Sequence, residues 1–385
     1  MNRTAVVVLV TTSFPIRGDG SEAAGSFVFD LVGELARRIS VRVVAPGIAS
    51  GYERWSEHIE VYRYAAPQAP LSVLKLWRPR DAAAIRRVLR AGSAATRQAV
   101  AAGSAVHILA MWALPSGAWA RRTAAEYGLR YSIWTLGSDI WSLGRLPGVR
   151  GYLRRVLRGA QALYADGIQL ASDAHAICGR EVNFLPSTRS IERSRTEPPR
   201  PVAPYRLLFL GRWHPNKGVD LLLDALNLLG DADWNRIEHV EICGGGPLEM
   251  LVRDKVRALQ AAGRPLALHG FLDKAEAEAA ILRADYLLIP SRIESIPVVF
   301  SDAMKLGTAV IAMPVGDLRG LIETAPRCGI AADTVSAKAF ADALSRALHD
   351  KASAFAAGTR VRACQFDLHR VADRIIADCA GLASD

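Results

Sequence analysis

The feature that most constrains this chain is an alternation that runs twice. Short apolar, β-branched runs alternate with stretches of helical periodicity up to about residue 186, and the pattern restarts at residue 205. Thr4–Thr11 is almost wholly β-branched or aliphatic, as a parallel strand buried on both faces requires. A Gly-rich loop, "IRGDGSEAAG", follows, and then Phe27, Leu31, Leu35 and Ile39 recur at helical spacing. "VRVVAP" (41–46), 105–110 and "RYSIWTL" (130–136) predict further strands, with helices over 81–101 and 115–127. The second half predicts strands at "YRLLFLG", "HVEICGGG", "PLALHG", "DYLLIP" and "TAVIAMP". Helices are predicted over 219–229, 247–262, 273–283, 297–306, 336–349 and 369–380. Such alternation specifies parallel sheets covered by helices. The expected fold class is α/β, with two doubly wound, Rossmann-like domains facing across a cleft.

Between the two arrays lies "STRSIERSRTEPPRPVAP" (187–204), rich in Pro, Ser and charge, which reads as a linker. The expected division is a domain over 1–186, a linker over 187–204 and a second domain over 205–362. A C-terminal helix within 363–385 is expected to pack back on the first domain. The uncharged stretch 98–120 is broken by Gly103, Ser104, Pro115, Ser116 and Gly117, so it reads as soluble elements rather than a membrane span. Ala5–Val10 is short for an export signal and lacks a small-residue cleavage site. The five cysteines are widely spaced, with no C-x-x-C and no Cys/His cluster, which predicts reduced thiols, no zinc and a cytoplasmic location. The net charge of +10 suits an anion-attracting surface, although an Arg- and Ala-rich coding bias explains it equally well. No dense Lys/Arg run is present, and no nucleic-acid partner is expected.

Three stretches carry candidate chemistry. In "FLGRWHPNKGVDLLLDAL" (209–226) a strand ends before Gly211, and Arg212 and Lys217 flank the loop that leads into a helix. Two cations beside a helix start suit a diphosphate, and an ordinary solvated loop has the same look. In "CGGGPLEM" (243–250) the glycines admit a ligand close to the backbone, as would a plain strand-to-helix turn. The spacing is not the G-x-G-x-x-G dinucleotide fingerprint. In "PSRIESIPVVFSDAMKLG" (290–307) Pro297 suits the first turn of a helix, whose free N–H groups near Ser295–Val299 make an anion seat. Glu294 precedes that helix and Asp302 lies inside it; stabilisation of the helix dipole and an exposed polar edge explain them as well. "DAD" (231–233) matches a metal-binding Asp-x-Asp by letters, but it falls between a helix and the next strand, away from the strand carboxyl ends.

Taken together, "GRWHPNKGVD", "GGGP", "LHGFL", "ADYLLIPSRIESIPVVFSDAMKLGTAVIA" and "MPVGDLRGLI" resemble, in order and spacing, the C-terminal domain of the family-4 retaining glycosyltransferases, group 1, which have the GT-B fold. The resemblance is strong over 205–345. It is weaker before that, where it rests on the Gly-rich loop, "WALPSG" (112–117) and "LGSDI" (136–140). It implies transfer of a sugar from a nucleotide-diphosphate sugar to an acceptor hydroxyl, with retention, in glycan, polysaccharide or glycolipid synthesis. It implies that Arg212 and Lys217 hold the donor diphosphate, that Glu294 lies at the transferring bond and that Asp302 holds the ribose. Gly211, Gly244, Gly246, Phe271, Ser295, Ile296, Pro297 and Val298 complete the implied donor site, and Gly18, Gly20 and Gly25 form a loop across the cleft. Asp139 is the remaining catalytic candidate, facing the acceptor or shaping its loop; a buried structural Asp capping a helix explains it equally well.

Two departures stand out: Asp302 replaces the usual Glu, and Leu136 replaces a His found before Gly-Ser-Asp in many relatives. They motivate an alternative, a weak or inactive nucleotide-sugar-binding protein. In this family the leaving phosphate is thought to take the acceptor proton, so no cofactor and no metal is expected. The implied partners are the donor and a glycan, lipid-linked or small-molecule acceptor. Trp77, Arg78, Arg80, Arg86, Arg87 and Arg90 give an anionic membrane surface something to meet, or are simply a solvated helix face.

Overall fold

The computed structural model describes residues 5–16, 25–67, 74, 77–197 and 199–380. It divides into two compact units, Met1–Leu185 with Leu368–Asp385, and Pro186–Asp367.

The first unit is built on eight strands: β1 (Val6–Val10), β2 (Ser40–Gly47), β3 (Gly51–Arg54), β4 (Ile59–Ala65), β5 (Ala105–Met111), β6 (Arg130–Thr135), β7 (Leu163–Ala165) and β8 (Asn183–Phe184). Their order is β3-β4-β2-β1-β5-β6-β7-β8, parallel except that β3 runs antiparallel to β4. The helices are α1 (Ser26–Ala36), α2 (Pro79–Ala101), α3 (Ser116–Tyr127), α4 (Ser138–Trp141), α5 (Pro147–Arg158) and α6 (Ile168–Cys178). Alternate β1 residues point to opposite faces. Val8 and Val10 join Val88 of α2, Trp119 of α3 and Leu153 of α5 in one core, while Val7 and Leu9 join Val28 and Leu31 of α1 in the other. The β3–β4 hairpin is not among the predicted strands. Its residues alternate only briefly, and the exposed β3 has no apolar run to read.

The second unit is a six-stranded parallel sheet: β9 (Tyr205–Leu210), β10 (Ile237–Cys243), β11 (Leu266–His269), β12 (Tyr286–Ile289), β13 (Ala309–Ala312) and β14 (Gly329–Ala331), in the order β11-β10-β9-β12-β13-β14. It is flanked by α7 (Val219–Asn227), α8 (Asp231–Trp234), α9 (Glu249–Ala261), α10 (Lys274–Arg283), α11 (Val298–Lys305), α12 (Leu318–Glu323), α13 (Ala337–His349) and α14 (Ala356–Ala363). One core fills it, with Phe300, Tyr286, Phe340 and Phe366 fully buried. The two prolines expected inside helix starts sit outside them. Pro297 is the N-cap of α11, and Pro247 lies two residues before α9. The last helix, α15 (Leu368–Ala380), returns to the first unit. There Val371, Ala372 and Ile375 join the α1 core, and Glu34 of α1 accepts from His369 at 2.8 Å.

The expected linker over 187–204 begins inside the second unit, and only its later residues, such as Glu192, Arg193 and Glu197, are exposed. Ser187, Thr188 and Arg189 are buried in the second unit. Thr188 Oγ1 donates to the Phe366 carbonyl at 3.0 Å, Lys305 Nζ donates to the Arg189 carbonyl at 2.6 Å, and Glu278 accepts from the backbone N–H groups of Glu192 and Arg193. The charges that read as solvation are partners for carbonyls and carboxylates of the unit they wrap.

Candidate functional site

In the second unit the chain runs from β9 outward through β10 and β11, then crosses back to place β12 on the other side of β9. The loops after β9 and β12 therefore leave neighbouring carboxyl ends at the point where strand order reverses, the usual ligand crevice of such sheets. These loops, 211–218 and 290–297, are stitched together. Arg292 N–H donates to the Asn216 carbonyl at 2.8 Å, and the Arg292 guanidinium reaches the Pro215 carbonyl and both oxygens of Asp220 at 2.6–2.8 Å. Desolvation opposes ionisation of Asp220, yet the Arg292 hydrogen bonds and charge hold its pKa below the ordinary value.

The approach is close enough to require glycine. Gly218 has φ +70°, and a Cβ there would lie 1.9 Å from the Pro290 carbonyl oxygen. On the far side Gly316, φ +53°, leaves room for the carbonyls of Glu294 and Ser295, where a Cβ would come to 2.2 and 2.6 Å. The "GGGP" turn packs under the first loop in the same way: a Cβ at Gly244 would meet the Gly211 carbonyl oxygen at 1.9 Å, and one at Gly246 the Trp213 carbonyl at 2.9 Å. These two glycines seat one loop on another. Phe271 lies against Gly245 and is 57% exposed, so its ring is offered at this end of the sheet.

Within this frame Lys217 and Glu294, 77 residues apart in sequence, form an ion pair, and Ser291 Oγ donates to the same Glu294 oxygen at 3.1 Å. Glu294 is largely shielded and Lys217 is more open, with side-chain exposures of 13% and 38%. Arg212 is exposed, and among the described residues it takes no ion-pair or hydrogen-bond partner. His214 is held in its loop by accepting from Asn216 N–H at 3.2 Å. Burial first, then the charges of Arg212 and Lys217, lower its pKa and favour the neutral ring. Next to these groups α11 begins at Val298, whose first-turn N–H groups point out of the helix. The site thus gathers two cations, one carboxylate and a helix N-terminus, a set suited to a phosphate-bearing ligand. Ile296 is buried in the core, so only its backbone faces outward. The Ser295 hydroxyl is buried without a hydrogen-bond partner among the described residues.

Three expected site residues have other partners in the structure. Asp302 is expected at a ribose. Its side chain is 2% exposed and lies against the guanidinium of Arg189, with Nε at 3.0 Å from Oδ2 and Nη2 bonded to the same oxygen. Asp139 is expected in catalysis. It is buried and accepts from the backbone N–H groups of Ala113 at 2.7 Å and Leu136 at 3.3 Å. Its carboxylate ties the chain leaving β5 to the chain leaving β6, and burial raises its pKa to about 6 against the lowering effect of those N–H groups. Gly25, φ +75°, caps α1 against Ser13, where a Cβ would fall at 2.8 Å. Gly18 and Gly20 lie outside the described residues. Leu136 packs partly buried against the α1-side core. Asp231 and Asp233 of "DAD" are taken by Arg264 at 2.7 Å and Ser345 at 2.9 Å. Ser291, Arg292 and Arg189 were not among the expected site residues. The first two sit inside the quoted motif, whereas nothing local marks Arg189.

Residues 204–350 match the family described as "Glycosyl transferases group 1". A D-inositol 3-phosphate glycosyltransferase of Corynebacterium glutamicum (strain R) is 34% identical over 165 residues, 42% of this chain and 39% of the relative. The match thus spans about two fifths of that protein's length. Among solved structures, sucrose-phosphate synthase from Thermosynechococcus elongatus superposes with a TM-score of 0.72 at 19% identity, covering 99% of both chains. Anabaena HepE in complex with UDP-glucose gives 0.69 at 14% identity, covering 98% of this chain and 99% of the other.

Proposed function

We propose that this chain, whose residues 204–350 match the family of group 1 glycosyl transferases, moves a sugar from a nucleotide-diphosphate sugar to an acceptor hydroxyl, with retention of configuration. The observation that carries this is the convergence of Lys217, Glu294 and the α11 N-terminus at the sheet's reversal point. Similar proteins agree with it: one is a D-inositol 3-phosphate glycosyltransferase, and another binds UDP-glucose.

The main physical task of such a transfer is to stabilise charge growing on the leaving diphosphate. Lys217 and Arg212 supply fixed positive charge, and the first N–H groups of α11 supply oriented dipoles that need no rearrangement as the charge develops. Lys217 leaves Glu294 for the phosphate when the donor enters, and Glu294 turns to the sugar. Ser291 keeps the Glu294 carboxylate in place through that exchange. We assign Asp302 to fixing α11 through Arg189 rather than to the ribose. Phe271, exposed over Gly245, offers a face to the base.

The reaction in this reading uses no metal, because cations and dipoles already neutralise the diphosphate. The acceptor is a glycan, lipid-linked or small-molecule hydroxyl, and the setting is cytoplasmic, at an anionic membrane face. Trp77 is 77% exposed beside Arg78 and Arg80 at the start of α2, which supports such contact. The test is release of nucleoside diphosphate from a panel of nucleotide sugars. Lys217→Ala should lower turnover about 10- to 150-fold, the equivalent of one charge-assisted hydrogen bond of about 1.5–3 kcal/mol, and EDTA should leave the wild-type rate unchanged. Equal rates for wild type, Lys217→Ala and Arg212→Ala would sink the assignment.

A further inference from the structure

The positive charge of this protein is not spread evenly. Residues 77–181, which run from the lead into α2 through α6, hold 15 arginines, no lysine and 6 carboxylates, so nearly all of the chain's net +10 resides there. Two of the carboxylates, Asp139 and Asp166, are buried and do not offset the surface. α2, α3, α5 and α6 pack on one face of the sheet, on a shared core. Their outer side carries most of this charge, with exposed arginines on α2 and α5.

This side contains a hollow. Between α5 and α6 lies a cavity of about 360 Å³, lined by Arg150, Gly151, Arg154, Ala176, Ile177 and Gly179. Arg150 and Arg154 are exposed, one helical turn apart, so both guanidinium groups stand on one side of the opening. Arg150 is steadied by the Gly144 carbonyl at 3.3 Å, and Arg154 takes no ion-pair partner among the described residues. Gly151 lies between them, and a Cβ there would meet nothing within 4 Å. At the end of α6, Arg158 Nε donates to the Cys178 carbonyl at 2.9 Å, which offsets one carbonyl that would repel an anion. Of the nearby carboxylates, Asp173 is engaged by Trp141 Nε1 at 2.7 Å, and Glu181, two residues past Gly179, is exposed.

From this arrangement we propose that the hollow between α5 and α6 seats a phosphoryl group, held by the paired guanidinium forks of Arg150 and Arg154. The pocket lies in the first unit and uses none of the residues assigned to the donor, so it stands whether or not the transferase reading does. A phosphoryl group reaches such a surface either on a lipid headgroup or free in solution. The surrounding arginines favour the lipid, since each exposed one adds attraction to an anionic bilayer.

The experiment uses the full chain and two paired variants of equal charge change, Arg150→Ala/Arg154→Ala at the hollow and Arg86→Ala/Arg87→Ala on α2. In one arm each protein is co-sedimented with phosphatidylcholine vesicles containing 30% phosphatidylglycerol, in about 0.05 M and about 0.5 M salt. In the other, inorganic phosphate is titrated while the melting temperature is followed. Loss of vesicle binding at least tenfold greater for the hollow pair than for the α2 pair supports a lipid-phosphate seat. A phosphate-dependent rise in melting temperature that only the hollow pair abolishes, without vesicle binding, supports a free phosphoryl ligand. Equal losses for both pairs mean diffuse charge alone and overturn the seat, as does the absence of response in both arms. Circular dichroism of both variants confirms that they fold; a failure to fold is replaced by Arg150→Gln/Arg154→Gln, read by the same outcomes.

Discussion

Replacing Arg189 by alanine should damage the second unit more than any surface change in the chain. Its guanidinium is the charge that lies against the Asp302 carboxylate, in a pair whose side chains are 10% and 2% exposed. Removing one partner of such a pair leaves a buried charge and costs about 3–5 kcal/mol. The carboxylate can respond by taking a proton. At pH 7 that costs about 4 kcal/mol, roughly three units from an ordinary Asp pKa at 1.36 kcal/mol each. The expected loss at pH 7 is therefore about 3–4 kcal/mol, a third or more of the stability of many domains.

The sign with pH follows. In the variant the folded-state pKa of Asp302 is raised above its unfolded value, so the folded form binds the extra proton and the variant loses stability as pH rises from about 4 to 7. Urea unfolding followed by hydrogen exchange of peptides covering β9 and β12 reports this unit alone. The combined Arg189→Met/Asp302→Leu variant, which removes both charges, should regain more than half of the loss. A single-variant loss under about 1 kcal/mol, or a combined variant no more stable than Arg189→Ala, would refute the reasoning.

Other expectations are as direct. Gly218→Ala places a Cβ on the Pro290 carbonyl and keeps φ at +70°, so the two phosphate-site loops must part. Nucleoside diphosphate affinity by calorimetry should fall at least tenfold with the circular dichroism spectrum unchanged, and equal affinity contradicts the close-approach argument. Asp139 carries a folded pKa of about 6 against an ordinary 3.8. Here too the folded form holds the proton longer, so wild type should lose stability relative to Asp139→Asn as pH rises from about 4 to 6. A flat difference between the two across that window removes the buried-carboxyl account. His107, with a pKa lowered to about 4 by burial, runs the opposite way: its stability contribution is lost as pH falls from about 6.5 to 4, and His107→Gln should flatten that loss in acid denaturation.

Much of this architecture is legible in the sequence, because buried parallel strands must be nearly continuous apolar runs and their helices must be amphipathic. β9, β10, β12 and β13 stand where such runs occur, and α11 follows the loop that its motif predicts. Lys217 and Glu294 were expected in one site and do meet, because both flank strand ends that the topology makes neighbours. What the sequence does not carry is pairing across distance. Arg189 and Asp302 are 113 residues apart, and a charged, proline-rich segment reads as solvated whether its charges face water or a buried carboxylate. For Asp139 the sequence leaves two readings open, a catalytic carboxylate and a buried capping one, because its partners are backbone N–H groups that any residue type supplies. The β3–β4 hairpin is hidden for a different reason: β3 is four residues long and mostly exposed, and in β4 a buried arginine, Arg63, interrupts the apolar pattern.

The central claim is that the loops after β9 and β12 hold a diphosphate through Lys217. Its most direct test is a thermal-shift titration of wild type and Lys217→Ala with UDP, GDP, ADP and TDP. A ligand at a hundredfold excess over its dissociation constant stabilises by about 2.7 kcal/mol, enough to move the melting temperature by several degrees. The account predicts such a rise for at least one nucleoside diphosphate in wild type and its loss in Lys217→Ala. No shift with any of the four, or an equal shift in both proteins, would contradict it.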